Sequence, residues 1–184
     1  MTLSNEDRNV LLSYARKVID SYLKEGKALS IEIHNKALLE CERGAFVSLH
    51  KDHELRGCIG VFTSNKQLYE TISEIAITAS TKDPRFEPLT LNELPDTTIE
   101  ISVLTPLKKI KDISEIEVGR HGIFITKDGN RGVLLPQVAT EYDWDRDTFL
   151  AHTCLKAGLS PYCWKEELTE IYIFEAEVFR EDRE

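Results

Sequence analysis

Leu55-Arg56-Gly57-Cys58-Ile59-Gly60 is the stretch on which the reading of the fold turns. It follows Ala45-Phe46-Val47-Ser48-Leu49, a run with strand character, and a polar turn from His50 to Glu54. Two such runs joined by a short polar turn predict a β-hairpin with the motif on its second strand. In a regular strand side chains alternate between faces. Leu55 and Ile59 would then enter the core, while Arg56 and Cys58 share the opposite face. Gly57 and Gly60 weaken a strand, which implies close approach of a ligand or of another backbone, or a bulge. An arginine beside a thiol on a face cleared by glycines is the first candidate site.

On the N-terminal side, Ser4 and Asp7 have capping-box spacing. Val10, Leu11, Tyr14, Val18, Tyr22 and Leu23 then recur at helical spacing up to Gly26, a helix over about 5–24. The segment up to Glu42 is ambiguous, with a helical turn suggested around Ser30 to Asn35. On the C-terminal side, Ser64 with Gln67 reads as a second capping box. Leu68, Ile72, Ile75, Ala76 and Ala79 give a helix over about 65–80, stopped by Asp83-Pro84. Thr90 and Glu93 cap a brief turn ending at Pro95, and Thr98–Thr105 alternates as a half-buried strand.

Pro106 to Ser114 is basic and loop-like, a subdomain crossing. Lys127-Asp128-Gly129-Asn130 between Gly122–Thr126 and Arg131–Leu135 predicts a tight hairpin, with Pro136 ending its second strand. A helix over about 146–157 carries Phe149, Leu150, Thr153, Cys154 and Ala157 on one face and stops at Gly158; Ile171–Phe179 alternates as a last strand. Strands near both ends with helices between them predict an α+β fold.

The 184 residues suffice for one domain or two small subdomains, and 41% hydrophobic with 30% charged residues is ordinary for a folded protein. A net charge of −9 argues against general affinity for nucleic acid or anionic membrane. No apolar run approaches the roughly 18 residues of a membrane span. Met1 to Asp7 lacks the basic region and apolar core of a signal peptide, and Cys41, Cys58, Cys154 and Cys163 form no CxxC pair. Reduced thiols in a cytoplasmic protein are the expectation.

Cys58 reads as a nucleophile or redox thiol activated by Arg56, or as a small packed side chain; His34, His50 and His121 are the bases that folding could bring to it. Arg56 and Arg85 could fork a small anionic ligand, or bond backbone carbonyls or a carboxylate such as Glu100. His121 has acid–base or structural readings, and Gln137 is a polar contact at a strand end. His50-x-x-His53 has no third or fourth ligand at a matching spacing, so no metal is assigned. Tyr142 and Trp144 form a surface platform or pack a helix start, and Cys154 belongs to a core stripe. No cofactor fingerprint is present: neither GxGxxG, nor a P-loop, nor cysteines spaced for an iron–sulfur cluster.

The motif Leu55–Gly60 matches the hallmark of the AMMECR family, and the resemblance runs on through Asp83-Pro84-Arg85-Phe86 with Pro88-Leu89, Glu100–Leu104, Gly119–Gly122, Leu134–Ala139 and Lys156–Leu159. It covers nearly the whole chain in order. It implies a larger α+β subdomain with an antiparallel sheet, here 1–106 with 166–184, a smaller inserted subdomain, 107–165, and a cleft between them. It also implies a Memo-like protein and a radical SAM protein as partners, as in the AmmeMemoRadiSam system. No activity is established for the family as a whole. The expected site is therefore Cys58, Arg56 and His121 for chemistry, with Gly57, Gly60, Arg85 and Gln137 for binding. Three functions stay open: an enzyme or enzyme subunit, a non-catalytic partner module, and, disfavoured by the acidic balance, an RNA-binding regulator.

Overall fold

The computed structural model describes residues 3–29 and 43–182. The turn suggested at Ser30–Asn35 lies outside these residues, as do His34 and Cys41. The fold is α+β, with four helices and two antiparallel four-stranded sheets among the described residues. The chain forms two compact units: Met1–Leu104 with Glu177–Glu184, and Thr105–Ala176.

In the first unit, helix α1 (Asn5–Glu25) starts at the Ser4/Asp7 capping box and ends at Gly26 in the left-handed conformation. Strands β1 (Ala45–Lys51) and β2 (Glu54–Val61) form the expected hairpin. Its two turn residues, Asp52 and His53, both have positive φ, as a tight hairpin turn requires. Helix α2 (Leu68–Thr81) begins three residues later than its sequence pattern suggested. The capping carboxylate is that of Glu70, which accepts from the Gln67 N–H, while Ser64 bonds Thr71 instead. After the turn at Leu94–Asp96, β3 (Thr97–Leu104) pairs with β1, and β8 (Ala176–Arg180) completes the order β2-β1-β3-β8. Ala45, Val47 and Leu49 of β1 and Ile99 and Ile101 of β3 are buried with Leu11, Ala15 and Ile19 of α1 and Ile72, Ala76 and Ala79 of α2. Burying each large aliphatic side chain contributes roughly 1.5–3 kcal/mol, so this helix-covered face holds the sheet in place.

Strand β2 is not regular. Leu49 pairs with Gly57 but His50 with Leu55, so Arg56 is the extra residue of a β-bulge. The bulge shifts the alternation. Leu55, expected in the core, pairs with His50 on the open face and is 40% exposed, whereas Ile59 packs against the core as expected. Gly57 pairs with Leu49 on the helix side, where a Cβ would collide with the Ala79 carbonyl oxygen of α2. At Gly60 the space of a Cβ is taken by the Phe46 ring. Both glycines therefore admit neighbouring atoms of the chain itself.

In the second unit, β4 (Lys108–Ile110) is a short strand within the stretch expected as loop, and β5 (Gly122–Lys127) and β6 (Asn130–Leu134) turn at Asp128-Gly129, both with positive φ. Helix α3 (Pro136–Glu141) starts at the proline that ends the strand, and α4 (Arg146–Lys156) is capped by Asp145. With β7 (Glu170–Phe174) the sheet order is β4-β7-β5-β6, packed around Ile123, Ile125, Phe149, Leu150, Ile171 and Ile173.

Two expectations change here. Ile171–Phe179 is two strands, β7 and β8, in different sheets, so residues 166–176 group with the second unit rather than the larger one. The switch falls at Glu175, whose N–H donates to Thr105 Oγ1 while its carbonyl accepts from the Thr105 N–H. An alternating pattern carries no sign of which sheet it joins. Cys154 is buried in the core as expected, but it is bonded to Cys163 in a disulfide rather than being a reduced thiol. No helix among the described residues is long and apolar enough to cross a membrane.

Two stability outcomes follow from this packing. Gly57→Ala should destabilise the chain by about 1–3 kcal/mol in chemical denaturation, because backbone, not a movable side chain, blocks the new methyl. Replacing Cys154 and Cys163 together by alanine should lower stability by about 2–3 kcal/mol, the chain-entropy value for a loop this short. An unchanged denaturation midpoint in either variant would contradict the packing described.

Candidate functional site

β2 is an edge strand, and its outer side at Cys58 is closed by two side chains from the loop after α2. The Cys58 N–H donates to Asp83 Oδ2 at 2.9 Å, and Arg85 Nη2 donates to the Cys58 carbonyl at 2.9 Å. Arg85 also forks Asp83, from Nε at 2.9 Å and Nη2 at 2.7 Å, and its own N–H bonds Asp83 Oδ1. The acid–arginine pair thus takes the place of a fifth strand for one residue. Asp83 is buried, and its carboxyl lies well below the usual carboxylate range, held there first by Arg85 and further by the Cys58 and Arg85 N–H groups.

Arg56, thrown out by the bulge, braces the same loop farther along. Its guanidinium donates to the Glu87 carbonyl at 2.8 Å, to the Pro88 carbonyl at 3.4 Å, and to both Glu93 oxygens at 3.3 and 3.4 Å. Glu93 also accepts from the Thr90 N–H and hydroxyl, confirming the expected cap, and lies 3.5 Å from Lys51 Nζ. These donors, the Thr90 N–H first and Arg56 next, hold Glu93 down at about 2.

The thiol itself is half-buried on the open face of the sheet. Ser48 pairs with Cys58, and its Oγ donates to Cys58 Sγ at 3.1 Å. Arg85 is pushed above its ordinary pKa, first by its bond to Asp83 and also by the Cys58 thiol. Of the two arginines, Arg85 is the one bonded to the backbone of Cys58. Ser48 also pairs with Glu100, giving a row Cys58–Ser48–Glu100 straight across three strands. His50 and Thr98 form the next pair on that face, and they border an open depression of about 690 Å³.

The remaining expected residues stand elsewhere. His121, in the second unit, is buried with Nδ1 accepting from the Glu117 N–H at 3.0 Å, and Nε2 lies 3.9 Å from Glu175. Gln137 is an exposed residue in the first turn of α3. His53 is exposed in the hairpin turn, and no group of three or more His, Cys, Asp or Glu among the described residues is arranged to hold a metal. Trp144 is stacked between Tyr142 at 5.0 Å and His152 at 3.9 Å, and it packs on the core beside the start of α4.

Asp83, Ser48 and Glu93 are the site's neighbours that the sequence pattern did not flag. Asp83-Pro84 signalled only a helix stop, although an aspartate accepting from the N–H two residues on is a familiar turn device. Ser48 meets Cys58 only because of the bulge; uninterrupted pairing from Lys51–Glu54 would have set it opposite Gly57.

Glu93 has a lowered pKa in the folded chain, so its contribution to stability is present above the unfolded value, near 4.5, and is lost as pH falls toward about 2. Glu93→Gln should be less stable than the parent at neutral pH, and the difference should shrink through that window. Denaturation midpoints measured from pH 6 down to pH 2.5 check this; parallel curves would contradict it.

The AMMECR1 family model matches residues 12–179. Protein MJ0810 of Methanocaldococcus jannaschii is 46% identical over 187 residues, covering 97% of this chain and 92% of that protein. Protein MK0488 of Methanopyrus kandleri is 46% identical over 189 residues, covering 98% and 91%. The crystal structure of the uncharacterized protein PH0010 from Pyrococcus horikoshii superposes with a TM-score of 0.82 at 41% identity, over 94% of this chain and 90% of that one. With the family pattern matched from the first helix to the last strand, the chain belongs to the AMMECR1 family.

Proposed function

We propose that the chain is an enzyme or enzyme subunit whose reactive group is the Cys58 thiol. One observation carries this reading: a half-buried sulfur accepts a hydrogen bond from Ser48, on a residue whose carbonyl is held by the Arg85 guanidinium. A hydroxyl bonded to the sulfur orients it, and the thiolate is the nucleophilic form of a cysteine. The backbone on either side is locked by Asp83 and Arg85, so the sulfur is held in one place. Arg85 is the activating cation in this reading, and Arg56 supports the loop that carries it.

Of the three histidines considered as base, His50 fits best. It follows Ser48 by two residues on the same strand and so shares its face. His121 belongs to the other unit. The family resemblance supplies the proposed setting: a cytoplasmic system with a Memo-like protein and a radical SAM protein. A docking role for the second unit is supported by its exposed large apolar side chains, Tyr142, Leu155, Tyr162 and Leu168.

Alkylation of Cys58, followed by peptide mass spectrometry, tests the reading. Arg85→Gln should slow the reaction at neutral pH by about threefold or more, Arg85→Lys should keep most of the rate, and Arg56→Gln should leave it near the parent value. Equal rates in all four proteins, with folding verified by circular dichroism, would make Cys58 a packing residue.

A further inference from the structure

Several charged side chains of the first unit are paired inside it: Arg16 with Glu181, Arg8 with Glu177, Arg56 with Glu93, Arg85 with Asp83. An open depression lies on the sheet face opposite α1 and α2. Its wall includes Glu100 on β3 and Arg180 on β8, two neighbouring strands, with the carboxylates of Asp52, Glu181 and Asp182 around them. Among the described residues neither side chain makes a hydrogen bond or ion pair, although both signs of charge are present on one wall. His50 lines the same wall, and its Nε2 is a buried nitrogen without a partner. Thr98 adds a hydroxyl.

A protein that needed these charges for stability would join them, since a guanidinium and a carboxylate on adjacent strands are within easy reach. Left apart around a hollow, they match a molecule that carries both complementary charges. The volume, about 690 Å³, is that of a site for a small molecule. An ammonium would meet the Glu100 carboxylate, and a carboxylate would take the flat fork of Arg180. Glu181, the next residue, is held to the Ile99 N–H and Arg16 and leaves Arg180 as the cation of the wall.

We infer that this depression binds a small zwitterion with an ammonium and a carboxylate on a short scaffold, an amino acid or a close analogue. The inference does not rest on the Cys58 reading: neither Cys58 nor Ser48 lines the depression. Binding itself does not require the sulfur.

The test is amide NMR titration of the full chain with the common amino acids one at a time, repeated for any binder with its decarboxylated amine and its deaminated acid. At least one amino acid should shift the signals of Thr98, Glu100 and Arg180. Glu100→Gln and Arg180→Gln should each weaken it about tenfold, the loss of one charge-assisted hydrogen bond, and the singly charged analogues should bind correspondingly worse. Both side chains lack internal bonds, so these variants should fold. Cys58→Ala should bind as the parent does, which separates this inference from the reactive thiol: an inert Cys58 leaves the titration positive. No response to any amino acid, equal binding of the singly charged analogues, or indifference to both substitutions would overturn the inference.

Discussion

A single buried carboxylate organises the region around the motif. Asp83 sits where an edge strand would otherwise present a bare N–H, and it accepts that N–H while Arg85 neutralises its charge and reaches on to the carbonyl of the same residue. Burying a carboxylate is unfavourable unless it is both paired and hydrogen-bonded, and here each requirement is met by a different neighbour. The arrangement joins β2 to the loop that follows α2. The absence of a side chain at Gly57 lets the end of that helix approach the strand closely enough for the loop to arrive. Two sequence blocks more than twenty residues apart are thus halves of one interlock.

The bulge at Arg56 has two consequences that depend on each other. It sends the arginine outward to the carbonyls of Glu87 and Pro88, pinning the far end of the same loop. It also advances the register by one residue, which turns Gly57 toward the helix and Cys58 toward Ser48. Without the extra residue the glycine would not lie under α2 and the thiol would not face the hydroxyl. Backbone geometry and site chemistry are set by the same irregularity, as bulges beside functional sites often do.

Function in this reading lies on the sheet face opposite the one packed on α1 and α2. The face packed on α1 and α2 is largely apolar, while the other carries a thiol, a hydroxyl, a carboxylate and an imidazole within two rows of cross-strand pairs. A β-sheet with one face committed to the core can place such groups with little loss of stability, because strand pairing fixes their spacing to within side-chain reach. The second unit has its own core, stapled by Cys154–Cys163, and its His121 is engaged with the local backbone.

The sequence alone determined what short-range periodicity and turn chemistry can determine. The first helix with its capping box and glycine stop, both tight hairpins, the Thr90–Glu93 cap, the α4 helix and the family were all legible, since each depends on residues within a few positions or on ordered motifs. The split of Ile171–Phe179 between two sheets, the solvent position of Leu55, the disulfide, and the bonding of Arg85 rather than Arg56 to the Cys58 carbonyl were not. Those were decided by tertiary structure: a one-residue register shift and contacts between segments separated by 9 to 27 residues or more. Alternation and helical spacing describe which side of its own element a residue occupies. They carry no information about which distant element comes to meet it.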